Sequence, residues 1–156
     1  IGFDPGTATT GYGVVEARAS RLRHLAHGVI TTPANTGLGG RLKTIFEEAS
    51  GLLETFKPDA VSVERLFFKQ NVTTGIQVAQ ARGVIVLAAV LAGVQVGEFS
   101  PTEAKTAITG YGRAEKSQVA FMVTKLLGLE EKPSSEDASD ALALAITGIL
   151  RKETPR

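Results

Sequence analysis

Strand-like and helix-like segments follow one another along this chain in an order that predicts a single α/β domain. The first three segments are short, apolar and separated by brief polar breaks, as in antiparallel strands. After them, stretches with apolar residues at helical spacing enclose two further short apolar runs. A length of 156 residues suits one domain with a substantial core, so we expect residues 1–156 to form a single unit.

The predicted strands are apolar runs bounded by turn residues. Pro5 and Gly6 turn the chain after the first strand, and a polar break at 18–21 separates the second from the third. An acid, Glu64, closes the fourth strand. The five predicted strands cover residues 1–4, 10–17, 22–32, 60–64 and 94–99.

The predicted helices are marked by periodicity and by capping residues. Ser100 is followed by Pro101 and, three residues after Ser100, by Glu103, which is a strong helix start. Pro58 ends the first helix and Gly128 the fourth. The five predicted helices begin at about Leu38, Val72, Pro101, Glu115 and Glu136.

The composition excludes several classes of site. The absence of cysteine rules out disulfides, zinc–thiolate sites and thiol nucleophiles. The longest apolar run, 84–94, is too short to span a bilayer, and we recognise no signal peptide. We therefore expect a soluble, cytoplasmic protein without a membrane partner. The sequence opens inside a predicted strand, which leaves open whether residues precede Ile1.

Four acids stand where apolar segments begin or end: Asp4, Glu64, Asp137 and Asp140. Acids at such positions point out from the edge of a core, and several converging there would bind hard divalent cations through oxygen ligands. Single motifs have simpler interpretations. Asp137 and Asp140 suit the N-terminal turn of a helix, and Asp4 suits a turn. Glu64 has no such simple interpretation, because an acid at the end of a buried strand is energetically costly unless it is paired or liganded.

Taken together, these acids favour a two-metal carboxylate site, in which two Mg²⁺ or Mn²⁺ ions assist hydrolysis of a phosphodiester. The net charge of +1 comes from 17 basic and 16 acidic residues, so metal binding by the acids would leave the chain basic. That balance permits a surface for an anionic ligand. Basic residues recur near the proposed site, at Arg65, Lys69, Arg82, Lys105, Arg113 and Lys116.

Six segments spread over essentially the whole chain form a recognisable pattern. They are Gly-Phe-Asp-Pro-Gly at 2–6, Thr-Gly-Tyr-Gly-Val at 10–14, Val63-Glu64 with Phe67, Lys69 and Asn71, Gln-Ala-Arg-Gly-Val at 80–84, Ala-Glu-Lys-Ser-Gln-Val at 114–119 and Asp-Ala-Ser-Asp-Ala-Leu-Ala at 137–143. In the order and spacing of these segments the chain resembles the RuvC family of Holliday-junction resolvases. One departure is Gly148, where family members carry a histidine after Ala-Ile-Thr.

The resemblance implies a ribonuclease-H-like α/β fold, with a five-stranded mixed β-sheet flanked by α-helices. It further implies a homodimer that nicks four-way junction DNA symmetrically, leaves 5′-phosphate ends and works with the RuvA–RuvB branch-migration complex. By position, the metal-binding catalytic acids are Asp4, Glu64, Asp137 and Asp140, with two Mg²⁺ or Mn²⁺ ions per subunit. Phe67 matches an aromatic that stacks on bases, and the DNA-binding residues would be Phe67, Lys69, Arg82, Lys105 and Lys116.

Two other functions remain open at this point. Asp-Pro-Gly-Thr with the downstream Gly-Tyr-Gly also resembles the phosphate-binding hairpin of actin-like ATPases and sugar kinases, which need two such domains. A catalytically silent DNA-binding relative is the second alternative, although all four acids are present.

Two smaller expectations concern packing. His24 and His27 lie three apart in a predicted strand, so we expect them on opposite faces in surface or packing roles. The apolar 80–91 segment could be an interior helix or lie at the subunit boundary. A charge at Val86 or Ala89 would accordingly either unfold the protein or produce folded monomers.

Overall fold

The structure is a computed structural model and describes residues 1–66 and 72–152. Every predicted element within these residues is present, with boundaries within a few residues of those predicted. The strands are β1 (Gly2–Asp4), β2 (Thr9–Arg18), β3 (Arg21–Thr31), β4 (Ala60–Glu64) and β5 (Gln95–Phe99). The helices are α1 (Leu38–Phe56), α2 (Val72–Leu91), α3 (Pro101–Thr109), α4 (Lys116–Leu127) and α5 (Glu136–Lys152).

The five strands form one mixed sheet in the order β3-β2-β1-β4-β5. β1 pairs antiparallel with β2 and parallel with β4, and β4 pairs parallel with β5. The central strand β1 therefore ends beside the end of β4. This arrangement places the last residues of the two strands, Asp4 and Glu64, at one edge of the sheet.

Helices cover both faces of the sheet. Phe3, Val61 and Val63 point to the face covered by α1 and α2, where Ile45 and Ile85 complete a buried cluster. The opposite face is covered by α3, α4 and α5, which pack through a second cluster that includes Val123 and Ile146. Side chains alternate along a strand, so Asp4 and Glu64 point to this second face, toward α5. Among the described residues, no helix combines the length and hydrophobicity needed to cross a membrane.

The expectation that His24 and His27 lie on opposite faces is wrong. The pairing of β2 with β3 shifts register between Val14 and Val15, and Leu25 is the extra residue on β3. This β-bulge returns both histidines to one face. Their rings are 4.9 Å apart, and Nε2 of His24 lies 2.8 Å from Nδ1 of His27.

One side of helix α2 is buried in the core and the other side is exposed. Ala89 is fully buried in the cluster of α1 and α2, so of the two alternatives left open the interior one applies to this residue. Val86 is partly buried against the same cluster. The other side of α2 is open to solvent, and Val90 and Leu91 there are 61% and 68% exposed.

Candidate active site

The register of the sheet brings Asp4 and Glu64 together. Phe3 is level with Val63 across the parallel β1–β4 pair, so the next residues of the two strands, Asp4 and Glu64, are level as well. Level residues on adjacent strands share a face. Both carboxylates are partly buried and face the N-terminal part of α5, which carries Asp137 in its first turn and Asp140 just beyond it.

Three glycines allow α5 to lie directly on the sheet. A Cβ added at Gly2 or Gly11 would overlap the backbone of Ala141 or Asp137, and one at Gly13 would come within 2.8 Å of the Leu142 backbone. The Gly-Tyr-Gly motif thus serves close packing of α5 against β2. The same contact brings the acids of α5 down to the level of Asp4.

Three of the four predicted acids line one cavity. Asp4, Glu64 and Asp140 lie around a space of about 350 Å³, together with Lys105 and Lys116. Asp137 is not among the residues that line it. It nevertheless lies near enough for its charge to raise the pKa of Asp4.

The electrostatics of this cavity are those of crowded carboxylates. The pKa of Asp4 is raised to about 7, mainly by burial and then by the negative charges of Asp140, Glu64 and Asp137, in that order. Burial is also the main cause of the raised pKa of Glu64, followed by Asp140. The site therefore disfavours full ionisation of its own acids. A cluster of this kind is stabilised by a cation placed among the carboxylates.

Lys116 supplies part of that positive charge. Its Nζ donates to Oδ2 of Asp140 at 3.0 Å and lies 3.7 Å from Oε2 of Glu136. The hydrogen bond to Asp140 is the main cause of its raised pKa. Lys105 lines the same cavity and makes no ion pair within the described part of the chain.

The donor set fits a hard divalent cation. It consists of carboxylate oxygens without thiolates or imidazoles, which suits Mg²⁺ or Mn²⁺ better than zinc or copper. Across residues 1–66 and 72–152, however, no three His or acidic side chains already converge on a single point as metal ligands. The acids lie close enough to repel one another, and Lys116 donates a hydrogen bond to Asp140. The assignment of Asp4, Glu64, Asp137 and Asp140 as metal ligands stays a prediction.

The remaining predicted site residues are placed differently. Phe67 and Lys69 lie outside the described residues. Arg82 is not a cavity residue, because its Nη2 lies 2.6 Å from Oε1 of Glu98 and its Nε donates to the backbone oxygen of Glu64 at 3.2 Å. Its predicted contact with DNA also stays a prediction.

Glu98 was missed in the sequence analysis. It alternates with Gly97 and Phe99 on β5, so it points to the α2 side of the sheet, where Arg82 meets it. The signal available was an acid inside a short predicted strand, one residue from its end. Such an acid needs a partner.

Comparisons with known proteins identify the family of this chain. The family model described as "Crossover junction endodeoxyribonuclease RuvC" matches residues 1–148. A protein of that name from Heliobacterium modesticaldum is 53% identical over 146 residues, which cover 94% of this chain and 90% of the relative. Another of that name, from Rubrobacter xylanophilus, is 54% identical over 146 residues, covering 94% and 82%.

A solved structure shares the fold as well. The structure of Thermus thermophilus RuvC in complex with a Holliday junction substrate superposes with a TM-score of 0.91 at 36% identity, covering 97% of this chain and 92% of that one. The predicted ribonuclease-H-like class, with its five-stranded mixed sheet, is confirmed. With the family model matching nearly the whole chain and relatives more than half identical, the chain belongs to the RuvC family of crossover junction endodeoxyribonucleases.

Proposed function

We propose that this protein is a metal-dependent endonuclease that resolves four-way DNA junctions by paired symmetric nicks, in DNA recombination and repair. The observation that carries the proposal is the acidic cavity at the ends of β1 and β4, edged by Lys105 and Lys116, in a chain of the RuvC family. A relative has been solved in complex with a Holliday junction, which supports the choice of substrate.

Asp4, Glu64, Asp137 and Asp140 would hold two Mg²⁺ or Mn²⁺ ions per subunit. Ions held there would supply positive charge to the attacking and leaving oxygens of the scissile phosphodiester. The protein's own part is to keep four oxygen donors close together in spite of their repulsion. The register of β1 with β4 and the docking of α5 on the sheet achieve this.

The lysines at the cavity would contact the DNA backbone. Lys105 makes no ion pair within the described residues, so its charge is available to a phosphate. Lys116 is held by Asp140, and its charge would be shared between that acid and the substrate. Phe67 and Lys69 join the proposed DNA-binding set on the strength of the resemblance alone. The resemblance also assigns Arg82 to DNA, but this arginine is already paired with Glu98 and bonded to the Glu64 backbone.

The exposed face of α2 supports a homodimer. Ile76, Gln80, Gly83, Leu87 and Val90 are all exposed and recur at alternating spacings of four and three residues, so they form one stripe along the helix. Three of the five are large apolar residues, Ile76, Leu87 and Val90, and exposed apolar surface of this kind marks interaction sites. A two-fold dimer would present two equivalent sites to the two symmetric strands of a junction. By resemblance, the RuvA–RuvB complex would deliver the junction.

The function is tested with a synthetic four-way junction and a linear duplex of the same sequence. We expect paired nicks and 5′-phosphate ends on the junction in Mg²⁺ or Mn²⁺, and no cleavage of either DNA in EDTA. Asp4→Asn serves as the control for a contaminating nuclease. Equal cleavage of the duplex and the junction would contradict the proposal.

Binding of the ions can be tested without DNA. Titration of Mg²⁺ into the protein should raise the melting temperature, because an ion bound only by the folded state stabilises it. The rise should be lost in Asp4→Asn. A rise of equal size in that variant would place the ion elsewhere.

A further inference from the structure

Arg82 connects three elements next to the candidate active site. It lies on α2 and forms an ion pair of 2.6 Å with Glu98 of β5. Its Nε donates to the backbone oxygen of Glu64, the last residue of β4, at 3.2 Å. Only 20% of the arginine side chain is exposed, compared with 45% for Glu98.

The contact with Glu64 falls where the sheet stops supporting the strand. Glu64 pairs with Phe99 in the last register position of β4 and β5, and the bond from Arg65 N–H to the Phe99 oxygen, 2.8 Å, closes the pair. The Glu64 carbonyl belongs to the same peptide unit as this N–H, so Phe99 holds the unit at one end and Arg82 holds it at the other. Together the two bonds limit how far the main chain that carries the Glu64 carboxylate can shift.

We propose that Arg82 is a positioning residue for Glu64, and that Glu98 fixes the guanidinium in the orientation this requires. Arg82 holds the peptide of Glu64 from the α2 side, while the Glu64 carboxylate projects to the α5 side, into the acidic cavity. Arginine suits the task because its donors are fixed in one plane, so an ion pair through Nη2 also orients Nε. The inference rests on the proposed function, since it assigns Glu64 to catalysis.

This role competes with a direct contact between Arg82 and a DNA phosphate. The charge of the arginine is already matched by Glu98 at 2.6 Å, in a pair that is largely removed from solvent on the arginine's side. Moving the guanidinium to a phosphate would leave Glu98 without its partner and release the Glu64 oxygen. Water can replace part of what Glu98 loses, because this carboxylate is 45% exposed, so the cost of the move lies mainly in the lost hydrogen bond to Glu64 and in repositioning a largely shielded side chain.

The location of Arg82 also gives the contact a second consequence. Its neighbour Gly83 belongs to the exposed stripe of α2, which we propose as the subunit interface. A shift of α2 at that interface would move Arg82 and, through its hydrogen bond, the backbone of Glu64.

Two variants separate the roles. Glu98→Gln removes the orienting charge and leaves Arg82 free to reach DNA, and Arg82→Met removes the donors while keeping the length of the side chain. Arg41→Met is the matched control, because Arg41 also donates to backbone carbonyls, of Thr36 and Ala34, at 3.1 and 3.0 Å. Each variant is assayed for junction affinity at several salt concentrations, for single-turnover cleavage at saturating protein, and for the Mg²⁺ concentration at half-maximal rate.

A positioning role predicts that both Arg82→Met and Glu98→Gln slow single-turnover cleavage by about 10-fold or more and raise the Mg²⁺ requirement. Junction affinity and its salt dependence should stay at the wild-type level. Arg82→Lys should recover little, because lysine lacks the planar fork. Arg41→Met should match wild type in all three measurements.

The opposite pattern would overturn the inference. If Arg82→Met weakens binding, lowers the salt slope by about one and leaves single-turnover cleavage intact, Arg82 is a phosphate contact. Normal cleavage by Glu98→Gln would also contradict it, and this variant tests the idea even if Arg82→Met fails to fold. Failure of the wild-type protein to cleave junctions would instead remove the proposed function itself.

Discussion

Lys116 donates a 3.0 Å hydrogen bond to Asp140, so a lysine predicted to bind DNA is held by an acid predicted to bind metal. Lys105 lines the same cavity and makes no such pair within the described residues. By the family resemblance both lysines match lysines that contact DNA. The charge of Lys116 is nevertheless partly neutralised by Asp140, so less of it is available to a phosphate than that of Lys105. This difference leads to the first prediction.

Lys105→Met should reduce the salt slope of junction binding by nearly one, because it removes a whole phosphate contact. Lys116→Met should reduce it less, since part of that charge is already neutralised by Asp140. Lys116→Met should instead further raise the pKa values of Asp4 and Glu64, which its charge now lowers. Binding titrations at several salt concentrations measure the slopes. Equal slopes for the two variants would show that the ion pair opens fully on binding.

Asp4→Asn should lower junction cleavage by at least about 10²-fold, or roughly 2.7 kcal/mol of barrier, because it removes a ligand at the centre of the cluster. Junction affinity should hold or rise as repulsion of phosphate decreases. Glu136→Gln is the matched control, since this exposed acid contacts Lys116 at 3.7 Å and is not a predicted ligand. Cleavage at the wild-type rate by Asp4→Asn would refute the two-metal assignment.

The metal-free protein should lose stability as the pH rises from about 4 to about 7. In the folded state Asp4 keeps its proton until about pH 7, whereas in the unfolded chain it releases it near 3.8. The folded state binds more protons within this window, so raising the pH favours unfolding. Melting temperatures measured in EDTA from pH 4 to 8 should show the decline, and Asp4→Asn should flatten it. Mg²⁺ should restore stability at pH 7 in the wild type only.

Leu87→Glu or Val90→Glu should yield folded monomers, because both side chains are exposed and lie on the apolar stripe of α2. Ala89→Glu should unfold the protein, since Ala89 is completely buried. Leu38→Glu, at a similarly exposed leucine on α1, is the matched surface control. Light scattering and circular dichroism distinguish these outcomes. A native-size dimer for both Leu87→Glu and Val90→Glu would move the interface away from this face.

Phe67→Ala should keep the fold, ion binding and dimerisation but cleave an intact junction slowly. An aromatic ring replaces part of the stacking lost when bases are opened, about 1–3 kcal/mol per base. A junction with mismatched central pairs needs less opening and should recover much of the rate. Equal loss on both junctions, with a collapsed melting temperature, would make Phe67 a core residue.

Local signals were sufficient to predict the elements of this fold. The capping box of Ser100 and Glu103 forms as expected, with bonds of 2.8 and 3.2 Å, and α3 begins at Pro101. Glu64 was singled out because an acid at the end of a buried strand has few explanations. Such features depend on neighbours within a few residues along the chain.

Features that depend on distant partners were not predicted. The β-bulge at Leu25 is set by how β3 pairs with β2, and it reverses the expected placement of His24 and His27. The role of Arg82 depends on Glu98, 16 positions further along the chain, on a strand whose sheet position was unknown. The same limit applied to α2, because its periodicity could not show that Ala89 faces the core while Val90 faces solvent.

Because of the glycines beneath α5, main-chain atoms set the distance between the sheet and the helix in the active site. Gly2, Gly11 and Gly13 let the helix rest on bare main chain, so at these three positions no side chain of the sheet separates the strands from the helix that carries Asp140. The height of one acid above the other is therefore fixed by peptide atoms, which cannot adjust by changing rotamer. A methyl group at Gly11 would lift the start of α5 without altering any charged residue. The nuclease could then lose its chemistry through a substitution that changes neither an acid nor a DNA contact.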